Sequence, residues 1–229
     1  MARYRFLLLI IVTCGGLWSC KNHNPSTPKI KEGTITYEVK YLSDEKENPM
    51  VTLLPATVDL KFKSNNISLF SEGYLGFFST HFISSYKGNA SHLLLKVLNN
   101  RFDYAFPQDE IAFIYQNQPE IRIEYCDSTK NIAGYNCKMA VIHCPGAKTE
   151  KITAFYTHEI SIKDPNRNTP FKDLKGVLME FKTSIHNIET HFVAVKVSDE
   201  KIADAEFTVP EEYKKISEEE IKKFLLDFN

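Results

Sequence analysis

Seven histidines, five cysteines and 29 acidic residues are the groups in this chain that could do chemistry. The histidines are His23, His81, His92, His143, His158, His186 and His191. No His-Glu-x-x-His occurs, the spacing that sets two zinc ligands and a base on one helix face. His186 and His191 are five apart, and an odd separation on a strand sends them to opposite faces. His143-Cys144 and His158-Glu159 are adjacent and diverge for the same reason. No Cys-x2-Cys pair is present to start a zinc site. There is no Gly-x-Ser-x-Gly, no Ser-x-x-Lys in a suitable setting, and no glycine-rich loop to cradle phosphate. Asp109-Glu110 and Glu211-Glu212 read as solvated turns. The expectation is a non-catalytic chain with no metal and no cofactor.

One cysteine is placed for chemistry of a different kind. Arg3 and Arg5 precede the unbroken apolar run Phe6–Val12, and Leu17-Trp18-Ser19-Cys20 follows. This is the layout of a secretory signal peptide, too short to span a bilayer stably. Leu17–Cys20 resembles a bacterial lipobox. The resemblance implies cleavage before Cys20 and attachment of lipid to its sulfur, giving a membrane anchor without a transmembrane helix. The expected organisation is a signal peptide over 1–19, a lipidated tether over 20–32, and one β domain over 33–229. The polar, proline-containing stretch 21–32 spans about 20 Å as a flexible chain and on the order of 40 Å at full stretch.

Removing residues 1–19 takes away two arginines and leaves 26 basic against 29 acidic residues, a net charge near −3. That balance argues against nucleic acid as a partner, which needs a basic patch. The 210 residues that remain can bury one sizeable core. Cys126, Cys137 and Cys144 lie beyond the anchor and allow at most one disulfide. Cys137 reads as a buried small hydrophobe. Both Cys126–Cys144 and Cys126–Cys137 bridges are open to an oxidising envelope.

The elements that carry these residues read as strands. Ile35, Tyr37, Val39 and Tyr41 alternate with polar residues, as do Val58, Leu60 and Phe62. Asn65-Asn66 predicts a turn into Ile67–Phe70, and Asn99-Asn100 predicts a second tight turn. Further strands are expected at Leu93–Leu98, Arg101–Ala105, Ile121–Asp127, Tyr135–His143, Lys151–Tyr156, Val177–Lys182, Ile188–Val197 and Ala205–Val209. Asp164–Thr169 reads as a loop. Ser217 and Glu220 form a capping box, with Ile216 and Ile221 as its staple. The stripe Ile221, Phe224, Leu225 and Phe228 then predicts a helix over 218–228. The fold class is mainly β with minor α: a curved antiparallel sheet with a C-terminal helix.

The segment Lys130-Asn-Ile-Ala-Gly134-Tyr135-Asn-Cys137-Lys138-Met-Ala140 resembles the hairpin of GLPGLI-type small envelope proteins of Bacteroidetes. Phe155–Ile160 resembles their following strand end. Phe171–Phe181 sits where they carry a Leu-Pro-Gly-Leu stretch, with Lys175 in place of the proline. The order of elements also resembles the LolA/LolB-like half-barrel, which cups lipid or acyl chains. The resemblance implies a half-barrel fold and assigns no activity. From the residues alone, Gly134 supplies a positive φ at a strand start, and Gly176 lets the chain turn closely into Val177.

These features lead to an envelope lipoprotein of the bacterial outer membrane, facing the periplasm, since Lys21-Asn22-His23-Asn24 lacks an acidic surface-export cluster. Its concave face is expected to bind a lipid or an acylated protein. The expected lining is Tyr37, Val39, Tyr41, Leu60, Phe62, Leu93, Leu95, Ile123 and Tyr125. The aromatic stretch Gly73–Ile83 contributes Tyr74, Phe77, Phe78 and Phe82 as a lip at its mouth. The alternative is a protein-interaction subunit of an envelope assembly with a closed core.

Overall fold

The computed structural model describes residues 30–42, 49–115, 120–146, 150–185 and 188–226. The signal peptide, Cys20 and most of the tether lie outside them. The strands are β1 (Glu32–Tyr41), β2 (Thr57–Lys63), β3 (Asn66–Glu72), β4 (Phe78–Ser84), β5 (Ala90–Val97) and β6 (Asn100–Pro107). After a crossover come β7 (Arg122–Ile132), β8 (Tyr135–His143), β9 (Lys151–Thr157), β10 (Val177–Ile185) and β11 (Ile188–Ser198). The two-residue β12 (Lys214–Lys215) and helix α1 (Glu218–Leu226) end the described chain. All twelve strands form one open sheet in the order β12-β6-β5-β4-β3-β2-β1-β11-β10-β9-β8-β7. Two meanders therefore run outward from a central seam between β1 and β11. β12 lies parallel to β6, and the other neighbours are antiparallel.

The alternation read from the sequence survives as cross-strand register. Ile35 faces Leu60, Phe62 faces Ile67, and Tyr37 faces Ala194, all on one apolar face. That face is bent. β6 and β10 are seven strand spacings apart, about 34 Å on a flat sheet. Yet the short 3-10 turn Phe113–Tyr115 in the crossover packs on Tyr104 of β6 (ring centroids 5.5 Å) and also lies against β10. The described part of the crossover, up to Tyr115, thus packs on the concave side. Phe113 and Ala112 are buried, and burial pushes the Tyr115 phenol up to about 12.

A loop latch holds the bend. In the segment between β9 and β10, the Arg167 side chain donates from Nη2 to the carbonyls of Asn65 (2.8 Å) and Ser84 (2.7 Å). The Asn168 amide donates to the carbonyls of Gln108 (3.0 Å) and Glu110 (2.7 Å), and its Oδ1 accepts from Ser91 Oγ (2.9 Å). One loop is thereby tied to the β2–β3 turn, β4, β5 and the start of the crossover.

The outer face of β2–β6 is covered by the tail after β11. Lys61 pairs with Glu206 (2.8 Å) and Lys63 with Asp204 (2.8 Å), and Phe207 and Ile202 are buried beneath. The tail then delivers α1 to the inner face, where Ile221 and Phe224 pack on the β5–β6 cluster. The capping box forms as its residues predict: Ser217 N donates to Glu220 Oε2 (2.7 Å), and Glu220 N to Ser217 Oγ (3.2 Å). The predicted helix residues Leu225 and Phe228 have side chains outside the described set.

Several sequence expectations shift. The first turn sits at Ser64-Asn65, with φ of 51° and 69°, one residue before Asn65-Asn66. Asn65 is held there because its side-chain oxygen accepts from Lys163 N (2.8 Å). The second turn sits at Leu98-Asn99 rather than Asn99-Asn100, and Leu98 takes the left-handed conformation. The segment expected as strand Ala205–Val209 is a 3-10 turn, Asp204–Phe207, because its acids clamp onto Lys61 and Lys63 instead of pairing a sheet edge. The domain begins before residue 33: Ile30 bridges Ile160, and Ser161 N donates to its carbonyl (2.8 Å).

Of the two bridges left open, neither forms: Cys126, Cys137 and Cys144 are free. The register explains this. Cys126 opposes Met139 while Cys137 opposes Lys130, which separates their Cα atoms by about 8 Å, beyond the reach of a bridge. Cys144 lies beyond the Arg122–His143 pair, farther still. Cys137 is fully buried, and burial pushes its thiol up to about 11. Alkylation of the native protein near neutral pH should therefore modify Cys126 first, with Cys137 reacting only on unfolding. Mass mapping of the modified peptides checks this, and fast labelling of Cys137 would contradict its place in the core.

Candidate functional site

The chain enters the sheet at Glu32, opposite Lys63, so this end carries the Ser64-Asn65 turn. At the other, distal end the β3–β4 and β5–β6 connections emerge side by side. Four large apolar residues stand out there: Tyr74 is 58% exposed, Leu75 72%, Phe77 55% and Leu98 58%. Exposed Leu42 and Leu53 flank the same end. Contiguous exposed apolar groups of this kind mark contact surfaces more often than isolated ones do.

The backbone fixes this ridge. Gly73 N donates to Phe78 O (3.0 Å), Gly76 N to Gly73 O (3.1 Å), and Leu98 N to Phe77 O (2.8 Å), which joins the two loops. A Cβ on Gly73 would lie 2.1 Å from the Phe78 ring, so the ring packs directly on the glycine backbone. Leu75 and Leu98 both adopt left-handed φ, 54° and 53°. That conformation costs a leucine about 1–2 kcal/mol, and both side chains it orients point into water rather than into the core. Below the ridge, Glu72, Ser79, Lys96 and Arg101 form one row across β3, β4, β5 and β6.

The thirteen residues expected to contact an apolar ligand separate by position. Tyr37, Val39, Leu60, Phe62, Leu93 and Leu95 are buried and pack against one another or against the crossover and α1. Tyr41, Phe78, Phe82 and Ile123 are half-buried. Tyr74 and Phe77 form the ridge, while exposed Tyr125 lies near the opposite edge of the sheet and accepts from Lys175 N (3.3 Å). The inner phenols already have partners: Tyr37 donates to Leu178 O (2.7 Å) and Tyr41 to Pro55 O (2.8 Å). The best-formed depressions among the described residues hold about 300 and 260 Å³. The first is lined by residues 30–32 and 199–201, the second by residues of 158–176, and none of the thirteen lines either.

Leu75 and Leu98 complete the ridge and were not legible in the sequence, where the only signal was the asparagine pair beside Leu98. Among the described residues, no group of three or more His, Cys, Asp or Glu converges as a metal site. No described helix is long and apolar enough to cross a membrane.

No family model matches the chain, and no curated protein matches it. Among solved structures it is similar to PNGF-II in its P21 crystal form, at 17% sequence identity and a TM-score of 0.49. The match covers 86% of this chain and 33% of that one, so the chain spans about a third of its length.

Proposed function

We propose that this chain is a non-catalytic contact protein of a bacterial envelope, acylated at Cys20 and presenting the distal ridge to a partner. The observation that carries the reading is the ridge itself: four exposed apolar side chains on two hydrogen-bonded loops. The anchor is supported by Leu17-Trp18-Ser19-Cys20 and by the cationic, apolar start of the chain. On this reading the protein sits at the outer membrane and faces the periplasm.

Anchor and ridge then lie at opposite ends. The ten residues of β1 rise about 30 Å. The ridge thus stands about 30 Å along β1 from the point where the chain enters the sheet, a placement that supports a protein partner.

A second reading keeps a lipid or acyl chain on the inner face, supported by its continuous apolar lining. The two readings part in one experiment on the full chain in its native membranes. A photoreactive phenylalanine at Phe77 is expected to give cross-links to protein, and the same group at Phe62 only cross-links within the chain. Lipid adducts at Phe62 would favour the second reading. Acyl labelling that persists in Cys20→Ser would overturn the anchor.

A further inference from the structure

We propose that the distal ridge docks on the ridge of a second copy of this chain across a two-fold axis. This deepens the reading of the ridge as the contact surface and rests on it. The charge row beneath the ridge is the guide. Glu72, Ser79, Lys96 and Arg101 are successive cross-strand neighbours, so acid and base sit about 14 Å apart at the two ends of the row. Lys96 and Arg101 oppose each other directly, an arrangement of like charges that destabilises an isolated pair. Neither they nor Glu72 enters an ion pair within the chain among the described residues.

A row with acid at one end and base at the other is self-complementary. A two-fold axis passing between Ser79 and Lys96 sets Glu72 of each copy against Arg101 of the other. Such an isologous contact closes on itself and does not propagate into filaments. The ridges then meet across the axis, with Leu98 of each copy set against the Gly73–Phe77 loop of the other. The exposed parts of the four ridge side chains supply about 500 Å² per copy, taking 150–250 Å² for a large side chain. The pair buries about 1,000 Å², the lower bound for a specific interface, so the dimer is weak and concentration-dependent. The left-handed Leu75 and Leu98 keep the ridge in one shape, which lowers the ordering cost of docking.

The test uses the full chain in native membranes and purified in detergent. A mixture of Leu75→Cys and Leu98→Cys chains should give a covalent mixed dimer on mild oxidation, with no such product from the unsubstituted chain. In sedimentation equilibrium, Glu72→Lys or Arg101→Glu alone should weaken the dimer about tenfold or more, because each creates like-charge contacts. The double variant Glu72→Lys/Arg101→Glu should return to within about threefold of the parent, since the cross-copy pair is re-formed with its signs exchanged. A chain that stays monomeric at all concentrations, or a double variant no better than the singles, overturns the dimer. If the chain is monomeric but the Phe77 cross-linker captures a different protein, the ridge reading stands and the self-association falls. If it is monomeric and the cross-linker captures only lipid or nothing, both fall.

Discussion

Replacing Arg167 by alanine should lower the unfolding free energy by about 2–3 kcal/mol, the range for losing hydrogen bonds to a half-buried charged group. The guanidinium donates from Nε to Ser84 Oγ (2.7 Å), from Nη2 to the carbonyls of Asn65 and Ser84, and from Nη1 to those of Lys163 and Asp164 (both 3.3 Å). Alanine leaves the carbonyls of half-buried Asn65 and buried Ser84 without this donor, while those of Lys163 and Asp164 stay open to water. Burial already pulls the Arg167 pKa down to about 10, against the opposing pull of Asp164, so the group is charged at neutral pH but held at a desolvation cost. Arg167→Lys should recover little of the loss. One ammonium cannot reach carbonyls that lie on both sides of a planar fork. Urea denaturation measures both variants. A loss below about 1 kcal/mol for alanine would show that the bend does not depend on this latch.

Phe62→Ala should cost about 3–5 kcal/mol, the usual penalty for emptying a phenylalanine site in a packed core. Phe62 has no exposed surface and belongs to the largest interior cluster, facing Ile67 across the β2–β3 pair. The cavity it leaves is apolar, so it should stay dry and accept a small probe such as xenon or benzene. The parent should take up neither at that position. This variant therefore asks whether the inner face is solid. A loss below about 1.5 kcal/mol, with apolar probe already bound in the parent, would show a hollow there and favour an interior ligand.

Local signals carried much of this fold. Period-two alternation marked β1 and β2 because one face of each is buried and the other is wet. The capping box at Ser217 marked the start of α1 because both of its hydrogen bonds are made within four residues. The bend and the packing on its concave side were illegible for the opposite reason. Ala112 and Phe113 look unremarkable in sequence, and their burial depends on Asn168, whose carbonyl accepts from Ala112 N (3.0 Å) across 56 positions of chain. The turns sit one residue earlier than the asparagine pairs indicate, because Ser64 shares the left-handed conformation with Asn65 and Leu98 takes it in the second turn. A leucine in that conformation is not something composition announces, and half of the candidate site was hidden with it.

The central seam has a consequence for biogenesis. β1 near one end of the chain pairs with β11 near the other, as in Ile35 with Val197. Each meander can zip up from neighbouring hairpins, but their inner margins stay unjoined until β11 has been made. A polypeptide of this design stays open at its centre for nearly its whole synthesis. It locks only once the last long strand has emerged, and until then its open margins are the places where a chaperone must stand guard.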